Sequence, residues 1–188
     1  MQIANIIVRY SLKLIVTTFM CQVYLLIGGN LGDRMQHIST ALNLIQQSVG
    51  EIILQSSVYE TKAWGVEQQP DFLNLALMVN TELGPLAILD RTQQIETELG
   101  RSRKEDEKWG ARTMDIDILF YDDQIIDADR LQIPHPFIAQ RKFVLLPLFE
   151  ISPDFIHPVS KESIKTLYLN CSDRLSVEKL STNLFNSL

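Results

Sequence analysis

Between residues 72 and 81 the chain alternates, with Leu73, Leu75, Leu77 and Val79 on one side and Phe72, Asn74, Ala76 and Met78 on the other. This period of two predicts a β-strand. Upstream, residues 23–28 (VYLLIG) form a short apolar run that predicts a buried strand, and Gly29, Asn30, Leu31, Gly32 and Asp33 turn out of it into a helix. In that helix Leu31, Met35, Ile38, Leu42, Ile45 and Val49 recur at steps of four and three, one apolar stripe that stops at Gly50. A strand is expected over 52–59. Gly84 and Pro85 open a second helix that runs through Leu99 and ends at Gly100, the usual proline start and glycine stop. Residues 113–120 (TMDIDILF) alternate again, with Met114, Ile116, Ile118 and Phe120 facing one way and Asp115 and Asp117 the other. A turn at Asp122 and Asp123 follows, and the proline-punctuated segment 133–158 is expected to wrap the sheet edge.

The order strand, helix, strand, strand, helix, strand predicts an α+β fold, a ferredoxin-like βαββαβ sandwich whose mainly antiparallel sheet carries its helices on one face. The opposite face then stays open for ligands, and the alternation gathers Phe72, Asn74, Asp115 and Asp117 on it.

The 188 residues suit one domain, with 23 acidic against 17 basic groups and a net charge of −6. That balance argues against general nucleic-acid binding, though a local arginine cluster can still hold a nucleotide. Only Cys21 and Cys171 occur, without C-x-x-C spacing, which suggests neither a disulfide framework nor a zinc site and suits the cytoplasm. The apolar start of the chain is broken by Asn5, Arg9, Ser11 and Lys13, short of the roughly 20 apolar residues that a membrane helix needs. Residues 1–20 are therefore expected to be a non-catalytic extension, 21–174 the functional domain and 175–188 a C-terminal tail.

Candidate chemistry concentrates in residues 100–120, GRSRKEDEKWGARTMDIDILF. Asp115 and Asp117 sit two residues apart on one strand face, about 6.5–7 Å between Cα atoms, close enough to share hard cations whose remaining ligands are phosphate oxygens. Alone, such a pair is most simply the solvated face of an edge strand. Arg101, Arg103 and Arg112 around Trp109 and Gly110 change the balance, because guanidinium groups match phosphate oxygens bidentately and remain charged. The mixed run 104–108 (KEDEK) is read as a water-exposed loop tip.

In ordered blocks the chain resembles the 6-hydroxymethyl-7,8-dihydropterin pyrophosphokinases, which transfer diphosphate from ATP to a pterin alcohol. The blocks are LLIGGNLGDR, SSVYETKAWG, QPDFLNLAL, TQQIETELGR, WGARTMDIDILFYDD and LQIPHPFIAQRKFVLLPLFEISPD, spanning about 23–154. The resemblance implies that Asp115 and Asp117 bind two Mg²⁺ ions bridging the ATP phosphates. It implies that Arg101, Arg103, Arg112, His135 and Arg141 contact the triphosphate, that Gln93 and Glu96 lie against the nucleotide, and that Ile118, Arg130, Leu131 and Gln132 border the adenosine. It places the pterin between Phe72 and Phe143, read at its polar edge by Asn74 and by Thr61, Lys62 and Trp64, with Trp109 closing over the site and Asp115 near the substrate hydroxyl. The glycine turn at 28–32 lacks both the G-x-G-x-x-G and the P-loop patterns and is read as structural, with room for a pterin-side contact. A monomer with small-molecule substrates and no nucleic-acid or membrane partner is expected. A binding module without turnover and a kinase that transfers a single phosphate are the competing expectations.

Overall fold

The computed structural model describes residues 20–63, 69–101 and 110–181. Its central sheet has the order β5-β1-β4-β3-β8, with β2 also paired to β4, and every one of these pairings is antiparallel. β1 (Cys21–Gly29) runs beside β4 (Phe72–Thr81) over its whole length, from Cys21 opposite Thr81 to Gly29 opposite Leu73. β5 (Asp115–Tyr121) flanks β1 on the other side. The expected strand at 52–59 is two short ones, β2 (Glu51–Gln55) and β3 (Tyr59–Thr61), both against β4. Between them Ser56 takes over the ladder, its N–H bonded to Ala76 O and its hydroxyl accepting from Ala76 N. The ferredoxin-like α+β order is thereby realised.

α1 (Arg34–Ser48) starts at Asp33, whose carboxylate accepts from Gln36 N at 3.0 Å, a side-chain N-cap. α2 (Pro85–Glu98) starts at Gly84 with proline in its first turn. Ile38, Ala41, Leu42 and Ile45 of α1 and Ile88 and Ile95 of α2 cover Val23, Leu25, Ile27, Leu73, Leu75, Leu77, Val79, Ile116 and Ile118 on the first face of the sheet. Each such aliphatic side chain contributes about 1.5–3 kcal/mol when fully withdrawn from water.

The second face is only partly open, which corrects the expectation that helices occupy one face. Within 133–158, expected as a wrapping segment, lies α3 (Lys142–Ile151), and after it α4 (Ile164–Asn170). Val144, Leu145 and Leu148 of α3 and Ile164 and Leu167 of α4 bury Tyr24, Leu26, Ala76, Met78, Leu119 and Phe120 in a second core. Pro147 sits inside α3, so the proline that reads as a breaker is accommodated within the helix. Phe120 also faces opposite to expectation, because the β1–β5 register shifts. Leu25 faces Ile118 and Tyr24 faces Phe120, so Leu119 is an extra residue, a β-bulge that turns both Leu119 and Phe120 toward the second core. β6 (Ile126–Ala128) and β7 (Leu131–Ile133) form a separate hairpin, and β8 (Val177–Lys179), from the expected tail, pairs with β3.

Candidate active site

Three strands supply the floor of the site in one cross-strand row, since Asp115 of β5 faces Gly28 of β1 and Gly28 faces Asn74 of β4. Residues paired in this way share a face of the sheet, so a carboxylate, a bare backbone and an amide lie side by side. Gly28 is required there. A Cβ at that position would stand 2.3 Å from Asn74 Oδ1 and 2.6 Å from Leu73 O. Asp117 lies one pleat further along, opposite Leu26.

Over this floor opens a cavity of about 920 Å³, within the usual size range of small-molecule sites. One side of it is polar. Asp115 accepts from Arg101 Nη1, and its other oxygen accepts from Arg112 Nη1 at 2.8 Å. Arg101 Nη1 also donates to Glu96 Oε1 at 2.9 Å, and that oxygen accepts from the backbone N–H of Ile116 at 2.8 Å. Glu96, 1% exposed, therefore ties α2 to β5 and aims Arg101 into the site. Arg112 is placed by its backbone, which donates to Asn30 Oδ1 at 2.8 Å and accepts from Asn30 N at 2.9 Å.

The other side is aromatic and amidic. Phe72 and Asn74 of β4, Thr61 of β3 and Phe143 of α3 line it, and Asn74 Nδ2 donates to Thr61 Oγ1 at 3.0 Å. Buried Arg141, the N-cap residue of α3, lies where the two sides meet, its guanidinium 4.7 Å from the centroid of Phe137 and 5.7 Å from that of Phe143.

The electrostatics follow from this crowding. Burial, and next the negative charge of Asp115, push the Asp117 carboxyl up to about 7, against the opposing pull of Arg141 and Arg112. Burial, assisted by Arg141, pushes His135 down to about 4, so its imidazole is neutral near pH 7. His135 Nδ1 accepts from Phe137 N at 3.3 Å, which leaves Nε2–H as the donor of the neutral ring. A neighbouring pair of half-buried carboxylates matches the demand for a hard cation. Among the described residues no three His, Cys, Asp or Glu groups cluster as a metal cage, so such a cation would draw further oxygens from substrate or water.

The structure brings together in this cavity Thr61, Lys62, Phe72, Asn74, Gln93, Glu96, Arg101, Arg112, Asp115, Asp117, Ile118, Arg130, Leu131, Gln132, His135, Arg141 and Phe143. Arg130, at the rim, pairs with Asp90 of α2 at 2.6 Å, and Lys62 with Asp71 at 2.7 Å. Trp64, Arg103 and Trp109 lie outside the described residues. Sequence reasoning passed over Phe137, Asp127 and Asp129, which also line the cavity. Phe137 stands in the same PHPF block as His135, whereas the two aspartates belong to a hairpin without any strong strand signal.

The family model of 7,8-dihydro-6-hydroxymethylpterin-pyrophosphokinase (HPPK) matches residues 24–153. A 2-amino-4-hydroxy-6-hydroxymethyldihydropteridine pyrophosphokinase of Aquifex aeolicus is 44% identical over 146 residues, covering 78% of this chain and 89% of that protein. Its counterpart from Haemophilus influenzae is 42% identical over 143 residues, covering 76% and 88%. Among solved structures, wild-type Plasmodium falciparum HPPK-DHPS with pteroate superposes with a TM-score of 0.64 at 19% identity, over 80% of this chain and 44% of that one. The chain thus spans less than half the length of those crystallised proteins, and the likeness is one of fold.

Proposed function

The chain belongs to the 7,8-dihydro-6-hydroxymethylpterin-pyrophosphokinase family, and from that premise we propose that the cavity over Asp115, Gly28 and Asn74 is its catalytic site. The reaction transfers diphosphate from ATP to the hydroxyl of 6-hydroxymethyl-7,8-dihydropterin and releases AMP, a step of folate synthesis. One observation carries the assignment of the site: a single cavity is lined by a carboxylate pair with arginines and by an amide with two aromatic rings. These are the complements of a polyphosphate and of a flat heterocycle.

On the polar side Arg101, Arg112 and Arg141, with Arg103, hold the triphosphate and balance charge that moves onto bridging oxygens as the bond to the leaving AMP breaks. His135, being neutral, serves as a hydrogen-bond donor without adding charge. Asp115 and Asp117 would hold Mg²⁺, two ions in our reading, and bound Mg²⁺ supplies further charge neutralisation and orients the phosphates. Gln93 and Glu96 flank the nucleotide, and Ile118, Arg130, Leu131 and Gln132 border its adenosine. On the opposite side Phe72 and Phe143 stack the pterin, and Asn74, Thr61, Lys62 and Trp64 read its polar rim. Trp109 closes the site. The chain then acts by placing the hydroxymethyl oxygen in line with the β-phosphorus in a site with little water, and forms no covalent intermediate. The charge of −6 supports a site without nucleic-acid partners. Among the described residues no helix is long and apolar enough to cross a membrane. We place the enzyme in the cytoplasm as a monomer.

Mass spectrometry of a reaction with ATP, Mg²⁺ and 6-hydroxymethyl-7,8-dihydropterin tests this reading. AMP and the pterin diphosphate are expected, and both are lost in Asp117→Ala. ADP in place of AMP would mean transfer of a single phosphate, and absence of product would leave a binding module.

A further inference from the structure

Both aromatic walls of the cavity are held from behind by one stretch of chain, residues 171–180, which lies beyond the 24–153 matched by the family. At the α3 wall, Asp173 Oδ2 accepts from Lys142 N at 3.0 Å, while its Oδ1 accepts from Leu175 N at 3.0 Å. Lys142 is the first residue of α3 and stands between Arg141 and Phe143. The helix's own N-cap residue, Arg141, supplies no side-chain acceptor, so Asp173 takes that place from a distant part of the sequence.

The same stretch then reaches the β3 wall. β8 sets Val177, Glu178 and Lys179 opposite Thr61, Glu60 and Tyr59, and Leu180 N donates to Val58 O at 2.9 Å. Thr61 is in turn the cross-strand neighbour of Phe72 and the acceptor for Asn74 Nδ2. Lys179 Nζ closes the loop by pairing at 2.8 Å with Glu150 of α3, whose carboxylate also accepts from Ser57 and Tyr59. Phe143 on the helix and Phe72 on the sheet therefore have one common brace. In the strand order β5-β1-β4-β3-β8 this brace sits at the edge opposite the strand of Asp115 and Asp117.

We propose that residues 171–180 are a positioning strap that sets the gap between Phe72 and Phe143, and hence the fit of a flat bicyclic substrate, with the Asp173 carboxylate and the β8 backbone as the positioning groups. The inference rests on the reading of the cavity as a pterin site. The strap touches no reacting atom. It acts through Phe143 and Thr61, so loosening it at the β8 end weakens the heterocycle and spares the nucleotide.

Two variants probe it from its two ends. Glu178→Pro removes the N–H that, by the alternation of the antiparallel ladder from Leu180, bonds to Glu60 O. Asp173→Ala removes the acceptor for Lys142, and Asp173→Asn retains a carbonyl that can replace it. Binding of 6-hydroxymethyl-7,8-dihydropterin, in the presence of an unreactive ATP analogue and Mg²⁺, is measured by fluorescence, and binding of that analogue separately, with thermal melts confirming folding. The expected result is pterin binding weakened about tenfold in Glu178→Pro and Asp173→Ala, recovery in Asp173→Asn, and nucleotide binding unchanged in Glu178→Pro. Wild-type pterin affinity in both disruptive variants, or equal loss for both ligands in Glu178→Pro, overturns the strap. A wild-type protein that binds no pterin overturns instead the reading of the cavity on which it rests.

Discussion

Gly28 shows how narrowly single residues define this site. Its missing side chain leaves the floor between Asp115 and Asn74 open, and a methyl group there would press on Asn74 Oδ1 and Leu73 O. Gly28→Ala is therefore expected to lower stability by about 1–3 kcal/mol and to weaken pterin binding by displacing the amide. A thermal melt with a binding titration checks both. Phe143, partly buried beside Arg141, gives a second handle. Truncation in Phe143→Ala removes a ring face and should raise KM for the pterin by about tenfold, as steady-state kinetics would show. At this scale much of the site is legible in the sequence, because the DIDI alternation and the arginines flanking Trp109 announce their chemistry without a fold. What is not legible is occupancy. Asp115 already carries Arg101 and Arg112, and Glu96 is committed to Ile116 N and Arg101, pairings that arise only when α2 packs on β5. Phosphates entering the proposed site would meet arginines that already pair with carboxylates.

Among the elements, the back of α3 depends most visibly on one ionised group. Burial alone would raise the Glu150 carboxyl, but hydrogen bonds from Lys179, Tyr59 and Ser57 bring it from its ordinary 4.5 down to about 2. A depressed carboxylate stabilises the fold above its unfolded value and loses that contribution as pH falls, here between about 4.5 and about 2. Glu150→Gln should cost about 1–2 kcal/mol at neutral pH. It should also flatten the acid limb of stability, read from urea unfolding as the pH is lowered. The elements also show where sequence patterns stop informing. β4 spans the expected 72–81 because alternation and burial coincide along its length. β2 and β3 part at Ser56, a polar residue whose side chain takes the place of a backbone partner, which no hydrophobic period records. α3 is obscured by Pro147. β8 has only three residues and no apolar run of its own, so its place is decided by the edge it meets and by Glu150.

For the whole molecule, one sheet serves two cores, and only the second shares its face with the cavity. Ile45 belongs to the first core and Leu145 to the second, and both are fully buried. Replacing either with alanine should destabilise by about 2–5 kcal/mol. Leu145→Ala alone should also raise KM for substrate, since α3 carries Phe143 at its start, whereas Ile45→Ala should leave KM unchanged, and kinetics below the melting transition separate the two. The sheet is thus divided along its length, and in β5 the division falls on Leu119. Up to that residue odd positions point into the cavity, and beyond it the parity is inverted. Leu119 acts as a change of reading frame written in geometry. Excising it would make the ladder with β1 regular, leaving Asp115 and Asp117 aimed as they are and Phe120, directly after Ile118, still on the second face opposite Tyr24, so the cavity-facing half of the strand and its core-facing half meet at a seam one residue wide.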